Sequence, residues 1–246
     1  MAEISDGLEA LRSVMSLREI ASLMERTARW VSPETFKLLP LWFPEHGRRG
    51  LFYKENWSAP QMNKSRATGH SVHKSEGNVH ANKALTLALG LRSKHRPNWS
   101  CCHIWGIDDA SFQLSNAIVM DRRFFSCVGN MVLLPTPLKA FTDTMPDVKA
   151  MLRICARNLY GWPSEQPEFL ATNAAVDQWT DWDSYPQSWP RTPHERLPLG
   201  VVPLSTAIRN CARKRLAAIR RDLEDAGTYY PREEVKKALA YWKIEL

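Results

Sequence analysis

The stretch that decides the expected fold consists of WSCCHIWGI at residues 99–107 and FFSCVGNMVLLP at residues 124–135. The first run favours a β-strand and ends near Gly106. The second run also favours a strand, and it is broken at Gly129 and again at Pro135. We therefore predict two short strands in this part of the chain.

A helix is predicted to follow the second strand, from about residue 145 to residue 159. Its apolar side chains recur at the three- and four-residue steps that place them on one helix face. They are Val148, Met151, Leu152, Cys155, Ala156 and Leu159. Two strands followed by a helix would hold His103, which ends the first strand, in one unit with Asn130, which precedes the second hydrophobic run.

The order CCHIWG at 101–106 and then GNMVLLP at 129–135 resembles the HNH, or ββα-metal, endonuclease family. In that family a strand ending in histidine is followed by Gly-Asn, hydrophobic residues and Leu-Pro, which lead into a helix. The resemblance covers roughly residues 100–140. It implies an α+β fold with a ββα-metal (HNH) core, and the patterns outside this stretch add flanking helices and irregular segments rich in Trp and Pro.

By this resemblance His103 would be the general base that activates water for in-line attack on phosphorus. Asn130 would bond backbone groups and so hold the imidazole in register. Lys139 stands where the family usually has a His or Asn, and its ammonium could contact the scissile phosphate or stabilise its charge.

The resemblance also implies a divalent metal ion, magnesium or manganese. Cys102 stands just before the base, where the family usually has a metal-ligating Asp or His, and a thiolate suits softer ions than magnesium. Carboxylates that could supply oxygen ligands are Asp108, Asp109, Asp121 and Asp143. We take Cys102, Asp108 and Asp121 as the candidate metal ligands.

The formal net charge of +7 favours an anionic partner, because each phosphate neutralised by Lys or Arg releases condensed counterions. Residues 58–76 are polar and basic and are predicted to form an exposed loop or DNA-facing arm. Candidate nucleic-acid contacts are Lys64, Arg66, Arg122, Arg123, Arg213 and Lys214. A basic enzyme without a nucleic-acid partner explains the charge equally well.

The flanks divide the chain into an N-terminal helical, DNA-contacting region (1–95), the HNH-like module (96–160) and a C-terminal region (161–246) with a Trp/Pro-rich segment and basic helices. Helices are predicted over the first thirty residues and over 79–91, 205–226 and 231–243. His80 is expected to be a surface or hydrogen-bonded histidine. We expect core packing rather than base stacking for Trp179, Trp182 and Trp189.

The sequence lacks the features that mark several other classes of protein. No stretch is long and apolar enough for a membrane span, and the N-terminus carries acids where a signal peptide carries basic residues. The five cysteines are odd in number and form no CxxC pair, so a cytoplasmic location is expected. The nucleotide-binding and hydrolase motifs GxxxxGK[ST], GxGxxG and GxSxG are missing, and no third member completes a Cys–His nucleophile.

The first hypothesis is therefore a cytoplasmic DNA endonuclease of HNH type. The settings in which such modules often occur imply a restriction or phage-defence enzyme. The alternative is a non-catalytic DNA-binding protein that keeps a degenerate HNH module as a scaffold. Cutting of both strands with one site per chain would suggest a homodimer.

Overall fold

The computed structural model describes residues 6–106, 118–162 and 169–246. The described chain mixes helix and strand, so it is an α+β protein. The strands are β1 (Trp30–Val31), β2 (Met62–Lys64), β3 (Ser71–His73), β4 (Trp99–His103), β5 (Met131–Pro135) and β6 (Val201–Val202). The helices are α1 (Gly7–Arg12), α2 (Leu17–Thr27), α3 (Pro33–Leu38), α4 (Val79–Ala88), α5 (Arg122–Phe125), α6 (Lys139–Thr144), α7 (Pro146–Tyr160), α8 (Leu170–Asp177), α9 (Thr206–Asp225) and α10 (Arg232–Tyr241).

The centre of the fold is the antiparallel pair of β4 and β5, in which His103 lies opposite Met131 and Trp99 lies opposite Pro135. Residues 131–134 of β5 are all buried, as expected for an unbroken apolar run covered on both faces. The outer edge of β5 is closed by Arg29, whose backbone N–H donates to Leu133 O at 2.9 Å. The two strands predicted from the sequence are thus present and paired.

The second predicted strand is shorter than its sequence suggests. Its first residues, Phe124 and Phe125, favour strands, but here they end the short helix α5. Asp121 begins that helix by accepting a hydrogen bond from Arg123 N at 2.8 Å. The strand itself starts only at Met131, because the local cap overrides the aromatic preference for strand.

The other predicted helices are present as α4, α7, α9 and α10, with the N-terminal prediction as the exception. The segment expected to form a single helix is divided into α1 and α2. Ser16 starts the second helix through a capping box, in which Ser16 N donates to Glu19 Oε2 at 2.8 Å and Glu19 N donates to Ser16 Oγ at 3.3 Å. A strong N-cap inside an apolar pattern thus begins a new helix.

The segment predicted as an exposed loop contains the antiparallel pair of β2 and β3. Every residue of both strands is exposed, so the loop expectation is corrected to a β-hairpin, and the expected exposure is confirmed for the hairpin but is wrong for Glu76, which is buried. At the base of this excursion Glu76 N donates to Gly50 O at 2.6 Å, and Arg49 N donates to Glu76 O at 3.0 Å. Backbone hydrogen bonds therefore join the two ends of the segment between residues 50 and 76.

The larger of two apolar clusters includes residues from each of the three predicted regions, among them Trp30, Trp105 and Trp189. Trp189 packs edge-on against Trp30, with ring centroids 5.4 Å apart. Trp179 is partly buried against this core, whereas Trp182 is 36% exposed and lies under the guanidinium of Arg191. Core packing is therefore confirmed for Trp189, partial for Trp179 and wrong for Trp182.

All five cysteines lie in described parts of the chain and are free thiols. No helix within the described ranges has both the length and the apolarity to cross a membrane.

Candidate active site

Asn130 is fully buried at the junction between α5 and β5 and bonds only backbone groups. Its Oδ1 accepts from Trp105 N at 2.8 Å, and its Nδ2 donates to Trp105 O at 3.3 Å and Phe124 O at 3.4 Å. These bonds tie the chain just after His103 to the chain just before β5. This is the kind of contact that the HNH resemblance implies for Asn130, and a part in catalysis stays a prediction.

Replacement of Asn130 by alanine is expected to destabilise the fold by about 2–4 kcal/mol, because it strands a buried N–H and removes two further bonds. Denaturant unfolding measures the loss. Asn63→Ala, at an exposed position of β2, is the matched control and should change the free energy of unfolding by less than about 0.5 kcal/mol. If Asn130→Ala lowers the free energy of unfolding by as little as the control does, the Asn130 hydrogen bonds do not hold these two backbone segments together.

His103 ends β4 with its ring held by the neighbouring backbone. Its Nε2 lies 2.9 Å from Phe125 O, and its ring runs nearly parallel to the Phe125 ring, with centroids 5.8 Å apart. A carbonyl oxygen can only accept, so Nε2 carries the proton and the neutral ring keeps its lone pair on Nδ1. The tautomer and the orientation of the imidazole are thereby set, with Nδ1 as the basic nitrogen.

His103 lines a cleft of about 260 Å³ to which distant segments contribute. The described lining residues are Arg48, Asn78, Cys101, Cys102, His103, Gly106, Val119, Lys139, Asp143 and Lys149. Three of these side chains are Lys or Arg, and one is a carboxylate. Their net charge is positive, so the described part of the cleft suits an anionic group such as a phosphodiester.

The cations of the cleft are held in place by hydrogen bonds. Lys149 is only 6% exposed and donates from Nζ to His103 O at 3.1 Å. Lys139 forms an ion pair with Asp143 one helical turn later, and Arg48 donates to the Asn78 side chain. These positions are fixed before an anion arrives, which is the condition under which charges stabilise a transition state best.

The described donors of the cleft do not fit a magnesium or manganese ion, which takes several oxygen ligands. Burial raises the pKa of the Cys102 thiol to about 11, so this group is protonated near neutral pH. Asp143, the single carboxylate among the described lining residues, is paired with Lys139. Asp108, like Asp109, lies outside the described residues.

Asp121, the remaining candidate ligand, does not line the His103 cleft in the described structure. Its carboxylate caps α5 and pairs with Arg123, with the closest N–O distance at 2.7 Å. It lines a separate pocket with Arg122, Arg123, Glu234, Lys237 and Tyr241. The structure therefore does not bring Asp121 together with Cys102.

The predicted nucleic-acid contacts lie in three places outside the described lining of the cleft. Lys64 and Arg66 are exposed on the β2–β3 hairpin, and Arg213 and Lys214 are exposed on α9. Arg122 instead donates to Glu45 O, and Arg123 pairs with Asp121. The first two places present basic groups to solvent, whereas Arg122 and Arg123 are partly buried.

The structure also brings together a polar cluster that sequence reasoning missed: His46, Glu76 and His80. His46 Nδ1 lies 2.8 Å from Glu76 Oε2, and His80 Nδ1 lies 2.5 Å from Glu76 Oε1. The two imidazoles stack with centroids 3.3 Å apart and an interplanar angle of 9°. His80 was expected to be a surface or hydrogen-bonded residue, and its hydrogen bond to Glu76 agrees with the second of these.

Burial and hydrogen bonding act in opposite directions on the pKa values of His46 and Glu76. Burial lowers the pKa of His46, although its hydrogen bond to Glu76 opposes that change. Burial would raise the pKa of Glu76, but the hydrogen bonds from His46 and His80 outweigh it and lower that pKa. The available sequence signal was the four-residue spacing of Glu76, which precedes α4, and His80, which lies in its first turn, while His46 gave none.

In comparisons with known proteins, no family model, no curated protein and no solved structure matches this chain. Function therefore has to be inferred from the geometry of the His103 cleft and of the residues around it.

Proposed function

We propose that the protein is a DNA endonuclease of HNH type that hydrolyses phosphodiester bonds in the His103 cleft. One observation supports this function above the others. A histidine whose tautomer is set by Phe125 O shares a cleft with Arg48, Lys139 and Lys149. A general base beside an anion-binding site is what hydrolysis of a phosphodiester requires.

In the proposed reaction, His103 Nδ1 takes a proton from a water molecule as the water oxygen attacks phosphorus. The new oxygen–phosphorus bond forms in line with the phosphorus–oxygen bond that breaks, the departing sugar oxygen takes up a proton from a second water molecule, and protonated His103 then returns its proton to solvent. Lys149, Lys139 and Arg48 stabilise the negative charge that builds up on the phosphoryl oxygens. Asn130 acts through His103, because it fixes the backbone that follows the base.

DNA would be held by the exposed basic residues outside the cleft. Lys64 and Arg66 on the hairpin, and Arg213 and Lys214 on α9, can contact phosphates without reading sequence. The net charge of +7 supports the same partner. A cytoplasmic restriction or phage-defence role, with two copies cutting two strands, is the setting that the HNH resemblance implies.

Nicking of supercoiled plasmid by the full chain tests this proposal, with chelator, magnesium, manganese and nickel in separate reactions. The expected result is open-circular and then linear DNA under at least one condition. The chelator reaction measures whether the cleft works without a metal ion, as its described donors suggest. Binding of DNA with a steep salt dependence but no cleavage under any condition would favour the non-catalytic alternative.

A further inference from the structure

The cluster of the partly buried His46 and His80 with the buried Glu76 offers a metal ion three ligand atoms, one from each side chain. The two Nδ1 atoms and a Glu76 oxygen all lie within 4.8 Å of one another. Two imidazole nitrogens with one carboxylate oxygen form a ligand set that suits zinc and is poor for magnesium. Tetrahedral zinc, with bonds of about 2.0–2.2 Å, needs about 3.3 Å between ligand atoms. The observed separations of 2.8 Å and 2.5 Å lead to two different Glu76 oxygens and would have to widen, and the two stacked imidazoles would have to turn so that both nitrogen lone pairs meet at the ion.

Three aromatic side chains pack against the cluster, although its centre is charged. The Glu76 side chain is only 1% exposed. The aromatic rings around the two histidines come from Phe43, Phe52 and Trp57, with centroids 5.4–6.3 Å from an imidazole. A buried carboxylate is costly unless opposite charge compensates it, and a dication supplies that compensation.

A second carboxylate, that of Glu45, lies beside the ring nitrogen of His46 that faces away from Glu76. Its Oε1 lies 3.7 Å from His46 Nε2 and also pairs with Arg215. Its Oε2 is buried without a hydrogen-bond partner among the described residues. Metal-bound histidines usually donate their second N–H to a carboxylate, which fixes the ring and makes it a better ligand. With His46 Nδ1 on an ion, its Nε2–H would face Glu45.

We propose that His46, Glu76 and His80 bind one divalent transition-metal ion of the zinc type, at a site distinct from the His103 cleft. The ion would join two segments that are 30 residues apart in sequence. Those segments also supply Arg48 and Asn78 to the cleft and close the base of the β2–β3 excursion. The ion would fix one wall of the cleft, and water would take the fourth coordination position that the three side chains leave open.

Metal content and metal titration of the untagged full chain test this site. Protein stripped with chelator should take up about one Zn²⁺ per chain, in competition with a chromophoric chelator, and should melt at a higher temperature with Zn²⁺ bound. Co²⁺ in place of Zn²⁺ should give the visible absorption of a four-coordinate site. Stripped wild-type protein that takes up neither ion would overturn the proposal, whatever its variants do.

The variants His80→Ala and Glu76→Gln should each weaken Zn²⁺ binding by more than about 100-fold, and Glu45→Gln by about 10-fold. His73→Ala, an exposed histidine of β3, is the matched control and should bind like the wild type. A folded His80→Ala protein with unchanged Zn²⁺ affinity would also refute the site. Because these readouts do not involve DNA cleavage, failure of the nuclease proposal leaves this test intact.

Discussion

Replacing His103 with alanine is expected to lower the rate of plasmid nicking by about 10²–10⁴-fold, the usual contribution of a positioned general base. The imidazole is the candidate proton acceptor of the cleft, and its Nδ1 carries the lone pair because Nε2 donates to Phe125 O at 2.9 Å. The rate should be measured at saturating DNA, so that the chemical step rather than binding is compared.

The control for this variant is His95→Ala, because His95 is exposed and does not line the described cleft. It should nick at the wild-type rate. Both proteins should keep the wild-type affinity for DNA and a cooperative thermal transition. Nicking that survives His103→Ala unchanged would show that another group is the base, even if the nuclease function is correct.

The second large effect is expected for Lys149→Met, which keeps most of the length of the side chain but removes the ammonium. Lys149 lines the cleft and donates to His103 O at 3.1 Å from a buried position on α7. Loss of one positioned charge at a phosphoryl oxygen typically costs about 10²–10³-fold in kcat. DNA affinity should change much less, with the salt slope reduced by at most about one.

Lys37→Met, at an exposed position of α3, is the matched control and should leave kcat unchanged. Thermal denaturation of both variants shows whether the fold is kept. A loss of kcat without an equal loss of DNA affinity distinguishes a role in the transition state from a role in DNA binding. Equal loss of affinity and kcat, or no loss of kcat at all, would remove Lys149 from the proposed reaction.

Much of the secondary structure could be predicted because it depends on neighbours within one or two turns. The apolar spacing predicted α4, α7, α9 and α10, and most of the apolar side chains on each predicted face are buried or partly buried, whereas Val79 at the start of α4 is 56% exposed. The β4–β5 pair was predicted from two β-favouring runs bounded by Gly and Pro. The errors also have local causes, in the N-caps of Ser16 and Asp121, which start helices inside apolar patterns.

The candidate site was predicted only in part. His103 and Asn130 carry a recognisable pattern, and Lys139 occupies a defined place in it. Lys149 looks in sequence like a solvated residue of a helix, and Arg48 lies in a segment with no clear period. Nothing near either residue in sequence indicates that it shares a cleft with His103.

The sequence by itself determined four of the helices (α4, α7, α9 and α10), the two strand-forming runs of β4 and β5 and the order of His103 and Asn130, because these follow from hydrophobic periodicity and local turns. Only the tertiary structure decided that Arg48 and Lys149 face the cleft, that Asp121 lies in another pocket, and that His46 meets Glu76. The physical reason is that such encounters depend on how whole elements pack. Residues 30 or more positions apart in sequence leave no local pattern that records their contact.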